Sequence, residues 1–197
     1  MTSRATVRLI ALALACTFAG CAKSPEMQSI DAIRAVGGKL KFDGEGHATE
    51  VNMSHIKFGD ADMFLFAQLP ELRSLNLSDT AINGRGLDQL AVLPHLEALF
   101  LGGTLLDDAG MTHLQALTNL HTLHLGRTKI TDAGLPALRN LKQLRTLSLG
   151  DTQVTDAGLA HLRDLRDLST LVLRRTKTSP NGVQELRRSL PETKIDR

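Results

Sequence analysis

Aromatic side chains are scarce in this 197-residue chain, which has six Phe and neither Trp nor Tyr. Cysteine is scarcer still: Cys16 and Cys21 both fall within the first 21 residues. Beyond Cys21 there is no material for a disulfide framework or a thiolate zinc site. Excess charge is also missing. Leaving aside Arg4 and Arg8, 21 basic residues balance 21 acidic ones. A neutral chain without stacking rings has none of the basic stripes and aromatic platforms that nucleic-acid recognition uses. No apolar run approaches the roughly 20 residues needed to span a bilayer. Nor is there a nucleophile elbow, a phosphate loop or a zincin motif. The expectation is a non-enzymatic protein without cofactor, nucleic-acid partner or small-molecule substrate.

What is abundant is leucine, and it is arranged. A core drawn almost entirely from one side chain suggests a small packing unit used many times. From Leu72 the chain aligns with itself every 24 residues, through "LRSLNLSDTAINGRGLDQLAVLPH", "LEALFLGGTLLDDAGMTHLQALTN", "LHTLHLGRTKITDAGLPALRNLKQ", "LRTLSLGDTQVTDAGLAHLRDLRD" and "LSTLVLRRTKTSPNGVQELRRSLPE". In "LHTLHLG", Leu123 and Leu125 are two apart and share one face of a strand. In "TDAGLPALRNL", Leu135, Leu138 and Leu141 form a stripe at helical spacing. Strands alternating with helices must run parallel, and only stacked copies can bury the apolar faces.

The pattern L-x-x-L-x-L-x-x-T, followed by "TDAGL", resembles the leucine-rich repeat family, over roughly residues 48–197. The resemblance implies an α/β solenoid with a curved parallel β-sheet on the concave face and helices on the convex face. It also implies a protein-binding module. Similar repeats occur in F-box adaptors, but this chain has no F-box and carries Thr where those repeats often carry Cys.

"TDAGLPAL" from Thr131 and "TDAGLAHL" from Thr155 put Asp132 and Asp156 at one phase. The phase continues at Asp108 and Asp60, and reads "SPNG" in the last repeat. Interchange of capping chemistries points to helix starts, with Thr or Asp accepting from free N–H groups and Asp favoured by the helix dipole. The threonines 80, 104, 128, 152 and 176 are expected to bond backbone in the turn after each strand. The glycines 86, 110, 134, 158 and 182 are expected to let neighbouring repeats approach.

The ends differ. "MTSRATVRLIALALACTFAGC" has two Arg, an apolar run from about Leu9 to Ala19 and small residues before Cys21, the layout of a secretory signal. Its "FAGC" end resembles a bacterial lipoprotein signal, with Phe18 where an aliphatic residue is more usual. That resemblance implies a lipid on Cys21 and a place in a bacterial cell envelope. A soluble exported protein cut after Ala22, or an uncleaved anchor, are the alternatives. Residues 22–47 read as a tether, a capping helix from about Pro25 to Val36 and a first strand. Residues 48–71 read as a degenerate repeat, 72–191 as five repeats, and 192–197 as an edge strand. About seven parallel strands would span ~30 Å.

The concave row is free of any packing demand, so function is expected there. Its central positions are Asn76, Phe100, His124, Ser148 and Val172, flanked by Arg127, Arg174 and Arg175. Phe100 beside His124 is the pair that resembles an interface anchor. Packing through the convex helices of an envelope component is the alternative. "FDGEGH" at 42–47 reads as a hairpin turn rather than a calcium loop, because it lacks regular ligand spacing.

Overall fold

The computed structural model describes residues 23–197; the signal-type segment, with Cys16 and Cys21, lies outside the described residues. Helix α1 (Pro25–Ala35) opens the described chain, with Ser24 as its N-cap and Pro25 in its first turn. Eight strands follow: β1 (Lys39–Phe42), β2 (Ala48–Asn52), β3 (Ser74–Asn76), β4 (Ala98–Phe100), β5 (Thr122–His124), β6 (Thr146–Ser148), β7 (Thr170–Val172) and β8 (Lys194–Asp196). They form one sheet in chain order. Only the β1–β2 pair is antiparallel; from β2 onward every pair is parallel.

The period of 24 fixes the register. Val51 pairs with Leu75, Leu75 with Leu99, and so on through Leu123, Leu147 and Leu171 to Ile195. Each of these side chains points inward, and most are fully buried. The second inward position, Leu77, Leu101, Leu125, Leu149 and Leu173, is equally closed. The residues between them face outward, because side chains alternate along a strand.

On the opposite side the segments are shorter and tighter than the expected helices. Asp60–Gln68, Leu87–Val92 and Leu135–Asn140 are 3-10 helices. Helix α2 (Asp108–Met111) and helix α3 (Asp156–Leu159) are single α-turns that run on as 3-10. Only α4 (Pro180–Ser189), in the last repeat, is a longer α-helix. The leucine spacing supplies the reason. Leu135, Leu138, Leu141 and Leu144 recur every three residues, and all are fully buried. A 3-10 helix has 3.0 residues per turn, so such a row stays on one face. An α-helix would rotate it away from the core.

The aspartates do more than cap. Asp132 leaves its own repeat and accepts two hydrogen bonds from the next one: the Thr155 backbone N–H at 2.8 Å and the Thr155 hydroxyl at 2.6 Å. Asp108 does the same with Thr131, and Asp156 with Ser179. The expectation that these carboxylates serve their own helix starts is thus corrected. Thr155 and Ser179 act as the N-caps, donating to Asp while accepting from Ala157 and Gly182 N–H. A hydrogen bond to a charged partner contributes about 1.5–3 kcal/mol, so each clasp adds usefully to the buried leucines. The glycine that follows is part of the clasp. A methyl on Gly134 would lie 2.6 Å from Asp108 Oδ1, and on Gly158 or Gly182 it would overlap the Asp132 or Asp156 carboxylate.

The threonine ladder closes the turns. Thr80, Thr104, Thr128, Thr152 and Thr176 each donate a hydroxyl hydrogen bond, at 2.6–2.7 Å, to the carbonyl three residues earlier. Both ends are covered. Ile30 and Ile33 of α1 are buried under the first repeat. In the β1–β2 turn, Asp43 accepts from Glu45 and His47 N–H at 2.9 Å, which holds its carboxyl below the usual range. At the far edge, Arg187 reaches the outward carbonyl of Ile195 at 3.5 Å, and Arg197 donates twice to the Thr178 carbonyl. Occupied edge groups are poor templates for strand addition.

Candidate protein-binding surface

The outward residues of the strands form rows across the sheet, one side chain per repeat. The central row runs Asn52, Asn76, Phe100, His124, Ser148, Val172, Asp196. Asn76 is committed to its own turn, where Oδ1 accepts from Ser78 N–H at 2.9 Å. Phe100 and His124 pack against each other, with ring centroids 4.8 Å apart and planes tilted by 55°. Burial pushes the His124 pKa down, so its imidazole is neutral near pH 7.

A second row sits three residues further on, in the turns. His55, Asp79, Arg127, Asp151 and Arg175 all adopt left-handed backbone, with φ between 55° and 61°. Such a conformation costs a side-chain-bearing residue of order 1 kcal/mol. It recurs because it aims each backbone N–H at the next repeat: Asp79 N–H donates to Gly102, Arg127 N–H to Gly150 and Asp151 N–H to Arg174, all at 2.8 Å. The hydrogen-bonded ladder thereby continues past the end of each strand.

The charges in and beside this row are spent largely on one another. Asp79 pairs with Arg127 at 3.1 Å, across the intervening repeat. Gly103 permits it: its φ is +70°, and any side chain there would overlap the Asp79 carboxylate. Asp151 pairs with Arg175 at 3.3 Å, and Arg174 with Asp196 at 2.8 Å, which raises the Arg174 pKa. The arginines are the outer partners. Arg127, Arg174 and Arg175 side chains are 60%, 66% and 81% exposed. Each guanidinium therefore keeps donors directed to solvent.

Between the two rows lies a third, Ser78, Gly102, Gly126, Gly150 and Arg174, of which only Arg174 is among the sequence candidates. Its three glycines form the floor of a shallow depression of about 280 Å³. Six of the eight candidate residues line it: His124, Ser148, Val172, Arg127, Arg174 and Arg175. Asn76 and Phe100 lie outside the lining, although Phe100 backs the His124 wall. The signal was available in the repeat, since one phase holds Gly three times running between Ser78 and Arg174; a methyl on each of these glycines would lie 3.0–3.4 Å from the carbonyl of the next repeat. The floor carbonyls of Gly102, Gly126 and Gly150 already accept from the turn N–H groups. A ligand here meets side chains, not a free strand edge.

His55 belongs to the turn row, beside Asp79 at 3.6 Å, whereas His121 and His161 stand apart from this surface. His121 contacts Gln143 at 3.2 Å, and His161 contacts Arg139 at 2.7 Å. Among the described residues no group of three His, Cys, Asp or Glu is arranged to hold a metal. No helix among them is long and apolar enough to cross a membrane.

Comparison with known proteins agrees with this architecture. A family model of leucine-rich repeats in two copies matches residues 118–161, and a single leucine-rich repeat model matches residues 68–91. Among solved structures, an internalin (inlF) of Listeria monocytogenes superposes with a TM-score of 0.57 at 25% identity, covering 68% of this chain and 36% of that one. An internalin C2 of the same organism gives 0.52 at 25% identity, covering 75% and 69%. A leucine-rich repeat protein of Leptospira interrogans gives 0.54 at 26% identity, covering 68% and 33%. The chain thus spans about a third of the length of two of these three structures. No curated protein matches it. Such repeats commonly serve as protein-interaction modules. Register, repeat length and these matches together make the described chain a leucine-rich repeat solenoid, with a parallel sheet lining one side and short 3-10 and α segments the other.

Proposed function

We propose that this protein is an envelope-anchored binding module that recognises a partner protein through its concave face. The observation that carries the reading is the depression between the His124–Val172 row and the arginine rim. It combines an aromatic-backed wall, solvent-directed guanidinium donors and a floor low enough for close approach. Its walls are fixed by the hydrogen-bonded ladder beneath them. A preformed surface loses little entropy on binding, so modest contacts suffice. The anchor is Cys21, read as the lipid-modified residue of the signal-type segment.

Affinity capture from envelope extract tests the binding reading. The bait is the chain from Cys21 onward, and the control is the double variant Phe100→Asp, His124→Asp, with its melting temperature checked first. A protein retained by the bait and lost by the folded control supports the concave face. Equal capture by both would instead favour packing through the convex side, where Val92 is 65% exposed. For the anchor, Cys21→Ser should release the protein from the membrane fraction.

A further inference from the structure

The end of the solenoid nearest Cys21 has an outward face of its own. Helix α1 buries Ser29, Ile30, Ala32 and Ile33. At 100° per residue, Met27, Asp31 and Arg34 fall on the opposite stripe. Met27 is 44% exposed. The Arg34 guanidinium lies 5.2 Å from the centre of the Phe42 ring, which ends the edge strand β1 and is 38% exposed. Arg34 is the cation beside Phe42, and Lys23, four residues before Met27, pairs with Asp31 on the same stripe of the helix. Apolar bodies flanked by long cationic stems suit a lipid interface, where the rings and thioethers enter the acyl boundary and the charges reach back to headgroups.

The tether decides what covers this face. Four residue steps separate Cys21 from Pro25, the first residue of α1. Fully extended they span about 14 Å. A lipid on Cys21 therefore holds the cap within about 14 Å of the headgroups. A folded domain of even 100 residues has a radius of gyration of about 13 Å, so its full width does not fit in that gap. We infer that the cap face formed by Met27, Arg34 and Phe42 rests on the bilayer itself. This inference rests on the reading of Cys21 as the anchor. It has a geometric consequence: the strands stack away from the cap at about 4.8 Å each, which carries β5 to β7 roughly 19–29 Å beyond β1. The concave depression then stands clear of the headgroups.

The test uses the processed chain, Cys21–Arg197, whose described elements all begin after Ser24. Cys21 is its only cysteine and it has no Trp, so both coupling and fluorescence are single-site. Cys21 is joined to maleimide-headgroup lipid in phosphatidylethanolamine–phosphatidylglycerol vesicles carrying brominated acyl chains. Three variants, Met27→Trp, Phe42→Trp and Lys177→Trp, each confirmed folded by circular dichroism, report quenching. Several-fold stronger quenching at position 27 or 42 than at 177 is expected. Indistinguishable quenching at all three positions, or none at 27 and 42, overturns the inference. Because the lipid is attached chemically, this outcome is independent of cellular acylation. The anchor reading fails separately, if the N-terminal peptide isolated from cells lacks the acyl mass or Cys21→Ser stays membrane-bound.

Discussion

Asp132 crosses to the next repeat and holds Thr155 by two hydrogen bonds, whereas Gly84, at the same phase two repeats earlier, carries no side chain to reach with. The C-terminal seams share the Asp132 arrangement. The seam between the repeats beginning at Leu72 and Leu96 is built differently. Its receiving position is Asp107, which caps Gly110 N–H within its own repeat at 3.0 Å and would repel a second carboxylate. Backbone packs on backbone there instead. Gly84 has φ +104°, and a methyl on it would lie 2.6 Å from Gly110 Cα. Asp60 compensates one seam earlier, accepting from the N–H groups of Asn83, Gly84 and Gly86 at 2.9–3.1 Å. The leucine core is common to every seam, and the polar clasp is what varies. Resistance to local opening should therefore vary along the solenoid even where the core does not.

The harshest test strikes what both regions share. Leu147→Asp puts an unpaired carboxylate at a fully buried position and is expected to cost more than about 4 kcal/mol, unfolding several repeats. A melting temperature unchanged from the parent would contradict the architecture. Next comes the clasp alone. Asp132→Ala should cost about 1.5–3 kcal/mol by denaturant titration, because it strands the Thr155 N–H and hydroxyl. In the parent, amide exchange at Thr155 should be slower than at Asp107, and Asp132→Ala should abolish that difference.

A pH titration probes the last seam. The Ser179 hydroxyl, then its backbone N–H, hold the Asp156 carboxyl below the usual range. A depressed folded pKa contributes stability that is complete above the unfolded value, about 3.9, and is lost as pH falls through the folded one. The C-terminal repeat should loosen in acid on that schedule, and Asp156→Asn should flatten the dependence seen by exchange or proteolysis of α4. The smallest effect belongs to the turn row. Asp79→Ala removes an exposed pairing with Arg127 and should change stability by less than about 1 kcal/mol. If it costs as much as Asp132→Ala, the division between clasp and rim is wrong.

Much of this was legible before any coordinates. Leucines two apart named the strands, and a constant period fixed which residues share a row. Phe100 and His124 could be set side by side from the register alone. Other features were hidden for definite reasons. A carboxylate that bonds 23 residues away is invisible to local capping rules, and only stacking brings Asp108 to Thr131. Spacing of three predicts a helix stripe, although a row kept strictly at three belongs to 3-10 geometry. From sequence, Arg127, Arg174 and Arg175 read only as charges that flank the concave row. Their pairing with Asp depends on left-handed turns, whose one visible mark is Gly103 among Asp and Arg at that phase. The glycine floor does not announce itself in sequence, because a depression is made by the absence of side chains.

Because each clasp joins chemically equivalent partners, the length of this solenoid is a free variable. Excising residues 120–143 would set Asp108 against Thr155 with the donors it already uses, and would bring Phe100 beside Ser148. A chain that gained or lost such a unit would keep its clasps while rewriting the order of side chains on the sheet. Recognition in a protein of this kind can thus change by recombination of whole rows, without the slower route of point substitution in a packed core.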